Sequence, residues 1–505
     1  MVKPAATGLL LAGGLVDLGA GRFERADVRV RDSRIETVGA LSPEPGENCL
    51  DARRRIIVPG LVNAHTHSNE AWLRARFDNL PLETWLVHAY PVGAVRQTPD
   101  EVYLRTALVA AEQLRCGTTS VVDCLYEPGG ATVDSLAAVV RAYRDTGIRA
   151  LICLALADRP PRFDRAAVEP VDLVVLDEFR PAPAAAQVES ALALAERFHR
   201  PAEGISIGLA PAGIHRCGDE LLQRAAATGL DLHVHLAETR PQAADAAATG
   251  RSLVRRAVDL EFLGPRVHLS HAVWLSPQDI GWLAASGATV VHNPVSNLKF
   301  GSGLAPVPEL LRHGVPVALG TDGVCSADGQ DLLQAVKLAA LLHKGSGDPA
   351  GWLGAAEAWH MATEAGARPA GDPEGIGRVA SGRRADLTLF DLDHPAFLPF
   401  GDPLLHLALG APTSAVSEVL VGGRLVLAGG TLTGLDERVL RHEARLAAAA
   451  VEGRNAPARA LAGRLAPAAE AYRQATERQA LAIDRSLLGG PGEHIAECDG
   501  AEHHE

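Results

Sequence analysis

Several things are scarce in this chain, and each scarcity removes a class of protein. No dense stripe of Lys or Arg occurs in a sequence whose net charge is −13, which argues against a nucleic-acid partner held through its phosphates. The seven cysteines (49, 116, 124, 153, 217, 325 and 498) include no Cys-x-x-Cys pair. An odd, scattered set in a long chain reads as reduced thiols in the cytosol rather than a disulfide framework, so a cytoplasmic location is expected. No uninterrupted apolar run reaches the roughly 18 residues of a membrane span, so no membrane partner is expected. The early GLLLAGGLV has one preceding Lys, no convincing cleavage site and Asp17 after it, and is read as a first β-strand rather than a signal segment. No G-x-G-x-x-G opens a helix, which leaves a doubly wound dinucleotide fold without its fingerprint.

What is present is 505 residues, 47% apolar and 22% charged, enough for a large core and more than one structural unit. Residues 1–58 carry short β-type runs, as in ADVRVRDSRIETVGAL. The texture returns in RADLTLFDL (384–392) and SEVLVGGRLVLAGGTL (417–432), where Gly-Gly pairs mark hairpins. Two distant β segments around one long middle predict a discontinuous β-sandwich built from 1–58 and 373–435. Between them, apolar strands alternate with Ala- and Leu-rich helical stretches. Eight candidates (GLVNAHTH, TTSVVDC, IRALICLAL, ISIGLAP, LDLHVHLAE, RVHLSHAV, ATVVHNP and PVALGTD) predict an α/β fold, a (β/α)8 TIM barrel over 59–372. Residues 436–505 have helical composition interrupted by Pro457 and Pro467, and read as terminal helices with a disordered end, 489–505, whose His503 and His504 are solvated.

A barrel places its chemistry at the C-terminal ends of its strands. The polar residues there are His65 and His67, Asp123, Asp158, His215, His235 and Glu238, His271, His292 and Asn293, and Asp322. His65 and His67 stand two apart at a strand's end and so face the same way. Each residue alone has an ordinary structural explanation. Imidazoles and carboxylates converging on one mouth make a metal site with hydrolytic use. His233 lies one step deeper than His235 and is expected to be a core histidine with its hydrogen bonds met inside the barrel.

PGLVNAHTH (59–67), HLAE (235–238), SHAVWLS (270–276), HNPVSNLKFGSG (292–303) and GTDG (320–323), in this order, resemble the amidohydrolase superfamily. The resemblance is to the branch of cytosine, guanine and S-adenosylhomocysteine deaminases and the triazine hydrolases. It implies that His65, His67, His235 and Asp322 hold one divalent metal per subunit; three imidazoles and a carboxylate suit Zn2+, and Fe2+ tolerates the same set. The end of the fourth strand, APAGIH, has no lysine, so the bridging carbamylated lysine of two-metal members is not expected. Glu238 is implied as the proton carrier, His271 as the group that polarises substrate or holds the nucleophile, and Asp322 as a ligand sharing proton duty.

The sequence also departs from that branch. Its nucleoside deaminases resemble one another in an APHS motif after the fourth strand, where this chain has Ala212, with His215 three residues later. They also carry a ribose-gripping Glu after a WL helix, and WLVHAYPVGA (85–94) has no carboxylate. A free heterocycle or guanidine-like substrate is therefore expected in place of a nucleoside. The long first loop supplies Asn69, Glu70, Glu83 and Trp85 as candidate substrate contacts, with His215 and Asn293 from later strand ends. The resulting expectation is a deaminase. The alternatives are hydrolytic loss of chloride or an alkylamine, ring-amide hydrolysis, or a barrel with only a structural role. The zinc signature of cytidine deaminases, with its P-C-x-x-C, is absent. The resemblance implies a homodimer or homotetramer, and the helical tail, packed on the barrel or on a neighbouring subunit, could mediate it.

Overall fold

The computed structural model describes residues 8–486 apart from 161, 178–180 and 346–347. The expected disordered end, with Cys498, His503 and His504, lies outside the described residues. Strands β1 (Leu9–Asp17), β2 (Phe23–Arg31), β3 (Arg34–Gly39), β4 (Asn48–Asp51) and β5 (Arg55–Pro59) open the chain. Eight more follow at intervals: β6 (Leu61–Thr66), β7 (Thr118–Leu125), β8 (Arg149–Leu156), β9 (Ile205–Pro211), β10 (Leu232–Leu236), β11 (Val267–His271), β12 (Thr289–His292) and β13 (Val317–Leu319). The last four are β14 (Leu387–Asp391), β15 (Val416–Val421), β16 (Arg424–Ala428) and β17 (Thr431–Leu432).

β6 to β13 form an eight-stranded sheet in which each strand pairs with the next in sequence, parallel throughout. Their near-continuous burial is what helices outside and packed side chains inside produce, and it explains why they read as apolar runs without alternation. The seam between β13 and β6 is bridged by polar contacts. Asp322 N–H donates to His65 O at 3.0 Å. Asn63 accepts from Thr321 N–H at 3.0 Å and donates to Thr321 Oγ1 at 2.8 Å. The seam therefore fixes the first pair of histidines against Asp322.

The remaining strands form a second sheet, ordered β17-β16-β15-β14-β5-β1-β2-β3, with β4 also on β1. Its two halves meet where β14 runs antiparallel to β5, Thr388 opposite Val58. Leu11, Val16, Val28, Ile57, Leu387, Leu389 and Leu420 pack as its buried core. This is the discontinuous β-sandwich, and β5 leads through Gly60 directly into β6, so the sheet braces the strand that carries His65.

The C-terminal region corrects one expectation. Residues Glu437–Glu477 form one 41-residue helix that runs through Pro457 and Pro467 instead of breaking at them. A proline crowds the carbonyl four residues earlier. In both cases that residue is a glycine, Gly453 and Gly463, whose backbone can tilt the carbonyl aside. Tertiary contact holds the helix as well. Ala444, Ala447 and Val451 pack on Trp72, Leu465 and Ala469 pack on Val87 and Val168, and Asn455 Oδ1 accepts from Val95 N–H at 2.8 Å. No described helix is long and apolar enough to cross a membrane.

Candidate metal centre and active site

His65 and His67 leave the end of β6 with ring centroids 4.8 Å apart; His235, from β10, lies 5.0 Å from His65 and 5.4 Å from His67. Asp322, just past β13, places Oδ1 3.4 Å from His65 Nε2 and 3.3 Å from His67 Nε2. His271, at the end of β11, has Nε2 4.0 Å from Asp322 Oδ2. Ligand atoms of His65, His67 and His235, and of His65, His271 and Asp322, lie within 4.8 Å of one another. Five side chains from four strand ends thus share one centre.

The surroundings orient these donors. His67 Nδ1–H donates to Cys124 O at 2.7 Å, which leaves Nε2 for the centre. His65 Nδ1 lies 3.1 Å from Ser270 Oγ, and its buried Nε2 has no hydrogen-bond partner. A buried ring nitrogen aimed at other imidazoles and a carboxylate is what a metal ligand looks like, with its other nitrogen tied down. Burial pushes the Asp322 carboxyl up, but the close imidazoles of His65, His271 and His67 outweigh it and hold the pKa well below the ordinary carboxylate range. Three nitrogens and an ionised carboxylate oxygen fit a divalent ion of the zinc or ferrous kind, and a divalent-metal-binding cluster is present.

Local backbone serves the same end. His271 (φ 72°) and Asp322 (φ 64°) are non-glycine residues in the left-handed region, a conformation costing about 1–3 kcal/mol each that persists where surrounding structure enforces it. Gly320, two residues before Asp322, has no room for a side chain. A Cβ there would stand 2.4 Å from Asn293 Oδ1 and 2.8 Å from His65 Cβ.

Glu238, on the turn after β10, is 4% exposed, with Oε1 3.7 Å from His271 Nδ1. Burial first, then the charges of Asp322 and Glu83, raise its pKa well above the usual value, so it can hold a proton near neutrality. His271 Nδ1–H donates to Asn297 Oδ1 at 2.9 Å. Burial lowers its pKa to about 4, leaving a neutral imidazole.

The other expected site residues divide. Glu83 lies beside the site, its Oε1 accepting from Thr239 Oγ1 at 2.5 Å, and burial raises its pKa. His215 is held neutral by burial, its pKa lowered to about 3, with the charge of Arg216 adding to the effect; its buried Nδ1 has no partner. Asn293 is fully buried, and its Oδ1 is likewise unpartnered. Asn69 and Glu70 are engaged by protein. Asn69 Oδ1 accepts from Tyr126 N–H at 3.2 Å. Glu70 accepts from Tyr90 OH at 2.9 Å, from the N–H groups of Cys325 and Ser326 at 3.0 Å each, and from Ser326 Oγ at 2.9 Å. Trp85 is packed against Phe300, ring centroids 4.8 Å apart. His233 is a core histidine, but the expectation that its hydrogen bonds are met holds for one nitrogen only: Nε2 lies 3.0 Å from Pro369 O, while the buried Nδ1 has no partner. Sequence reasoning passed over Tyr126, whose ring lies 5.3 Å from His67 and 6.3 Å from His235. Its signal was an aromatic just past a strand end in an aromatic-poor chain.

The chain matches the Amidohydrolase family over residues 56–426 and belongs to that family, in the mononuclear-metal branch related to deaminases and triazine hydrolases. With the cluster above, this defines a metal-dependent hydrolase. Among curated relatives, the chain is 32% identical over 444 residues to 5'-deoxyadenosine deaminase of Methanothermobacter thermautotrophicus, covering 86% of this chain and 97% of the relative. It is 33% identical to 5-methylthioadenosine/S-adenosylhomocysteine deaminase of Moorella thermoacetica, covering 81% and 91%. Of solved structures, an adenosine deaminase from Xanthomonas campestris with bound zinc superposes with a TM-score of 0.78 at 28% identity, over 88% of this chain and 98% of that one. An atrazine chlorohydrolase from Arthrobacter aurescens complexed with zinc gives 0.79 at 28% identity, over 87% and 100%.

Proposed function

We propose that the protein is a mononuclear zinc aminohydrolase that releases ammonia from an amino-substituted nitrogen heterocycle or a guanidine-like small molecule. The observation that carries this reading is the buried Glu238 carboxyl, held 3.7 Å from His271 beside the histidine and aspartate cluster. A divalent ion bound by His65, His67, His235 and Asp322 would supply hydroxide at neutral pH by acidifying water. Glu238, with its raised pKa, takes a proton from that water, passes it to a ring nitrogen, and then serves the departing amine. His271 Nε2, left as an acceptor by the Asn297 contact, holds the nucleophile in line. Zinc is favoured by the donor set and by the zinc in two similar structures; Fe2+ would accept the same ligands.

The relatives' names describe adenine compounds, but Ala212 and the carboxylate-free WLVHAYPVGA favour a free heterocycle here. Loss of chloride is a second reading, supported by the likeness to the atrazine chlorohydrolase, since one activated water serves either leaving group. The test is a parallel screen for ammonia and chloride release by zinc-loaded protein over aminopurines, pterins, aminopyrimidines, guanidines, aminotriazines and chlorotriazines. Ammonia from a ring amine supports the first reading. Chloride alone supports the second, and neither product from any class refutes both.

A further inference from the structure

Gln330 is wholly buried, on the turn between the helical segments Val324–Ala327 and Leu332–Leu341. Its backbone is anchored away from the metal cluster, its N–H donating to Glu112 Oε1 at 3.1 Å. Its side chain reaches the seam between β13 and β6. Nε2 donates to Asp322 O at 2.9 Å and to Gly329 O at 3.0 Å. Oε1 accepts from Gln113 Nε2 at 2.6 Å and faces the hydroxyls of Thr66 at 2.8 Å and Thr321 at 3.0 Å. Carbonyls on one side and donors on the other leave the amide a single orientation, since turning it over would set its oxygen against the oxygens of Asp322 and Gly329.

These partners are the chain neighbours of the metal-site residues. Thr66 stands between His65 and His67, and strand alternation sends its side chain to the face opposite theirs. Its hydroxyl lies 2.8 Å from Gln330 Oε1 and 2.9 Å from Asp322 O. The single hydroxyl proton serves one of these oxygens, and either choice ties the strand end that carries the two histidines to the segment that carries Asp322. Asp322 itself sits in the left-handed region, at φ 64°, a conformation that neighbours have to enforce. Its peptide groups are held on both sides, the N–H by His65 O at 3.0 Å and the carbonyl by Gln330 Nε2 at 2.9 Å. One buried amide thus joins the segments that carry His65, His67 and Asp322.

We propose that Gln330 is a positioning residue for the metal centre: its amide fixes the Asp322 carbonyl and the Thr66 hydroxyl, so that the Asp322 carboxylate and the His65 and His67 imidazoles are presented together to the ion. The test reads the metal and not turnover. The zinc Kd of metal-depleted full-length protein is measured by competition with a chromogenic chelator, and the visible spectrum of cobalt-loaded protein reports the ligand geometry. Gln330→Met, which keeps the length of the side chain and removes both polar atoms, should raise the zinc Kd about tenfold or more and alter the cobalt spectrum. Thr66→Val, which deletes one hydroxyl at nearly constant shape, should raise the Kd about threefold or more. The double variant should lose less than the product of the two separate effects, because the groups act as a unit. A purely structural amide would instead lower the urea midpoint of the metal-free protein while the zinc Kd and cobalt spectrum of Gln330→Met stay those of wild type. That result overturns the proposal, and so do effects that multiply in full. If Gln330→Met does not fold, Thr66→Val decides, and a Kd within about twofold of wild type overturns the proposal. The proposal needs a metal centre but no particular substrate. Wild-type protein that takes up no zinc refutes the centre and the proposal together, whereas absence of ammonia from every ring amine refutes the aminohydrolase reading alone.

Discussion

Glu70 supplies the sharpest structural prediction, because it stands beside the metal cluster yet its oxygens are already spoken for. Replacing it with Ala strips the acceptor from Tyr90 OH, from Ser326 Oγ and from the backbone N–H groups of Cys325 and Ser326. The two hydroxyls can rotate in search of other partners, whereas the two N–H groups cannot. Two buried donors left unsatisfied cost about 1–3 kcal/mol each, so Glu70→Ala should destabilise by about 2–6 kcal/mol. Glu70→Gln keeps the shape and one oxygen for the two N–H groups, while its amide can face a rotated Tyr90 hydroxyl; the expected loss is about 1–2 kcal/mol, the difference between charged and neutral acceptors. Urea unfolding of zinc-loaded proteins checks both, through the midpoint at unchanged slope. If Glu70 were chiefly a substrate contact, both variants would keep wild-type stability and show raised KM. A Glu70→Ala loss below about 0.5 kcal/mol would refute the anchoring role.

Three further perturbations follow from the geometry. Gly320→Ala pushes a methyl group into Asn293 and His65; it should cost about 1–3 kcal/mol and lower the zinc retained after dialysis, and full zinc occupancy would refute the close-approach argument. The wholly buried Arg105–Glu127 ion pair should lose about 3–5 kcal/mol in Arg105→Met, which strands a carboxylate, and recover most of it in Arg105→Met/Glu127→Leu; a double variant no more stable than the single one would contradict this. Asp17 is buried, and desolvation raises its pKa despite hydrogen bonds from Gly19 and Trp359. The folded state therefore binds more protons than the unfolded one above the unfolded value of about 4, and the Asp17 contribution to stability falls as pH rises through the raised value. Wild type should lose ground to Asp17→Asn between pH 4 and pH 7 in paired urea titrations, and an opposite slope would count against the assignment.

The barrel strands were legible because each is covered on both faces and so appears as an apolar run ending in polar residues. That signature did not separate two kinds of strand-end carboxylate. Asp322 enters the metal cluster, whereas Asp123 holds the first loop, accepting from Ser68 N–H, Ser68 Oγ and Tyr143 OH at 2.9, 2.6 and 2.7 Å. Asp158 likewise holds a loop, through Gly218 N–H at 2.6 Å. Only the partners, distant in sequence, distinguish them. The left-handed backbone of His271 and Asp322 had no sequence mark, since neither is glycine and the strain is imposed by neighbours. The unbroken terminal helix was hidden for a related reason. Local rules stop a helix at proline, and here glycines four residues earlier and packing against the first-loop tryptophan override them.

The central claim is that Glu238 carries protons for a water activated at a four-ligand metal centre. The measurement that tests it most directly compares zinc content and ammonia release in Glu238→Gln and His65→Ala against wild type, on whichever ring amine the wild type deaminates. Glu238→Gln should retain about one zinc per chain while turnover falls by about 100-fold or more, as expected for loss of a general acid and base. His65→Ala should lose both zinc and turnover. Wild-type turnover in Glu238→Gln, or zinc retained at full occupancy in His65→Ala, would contradict the account.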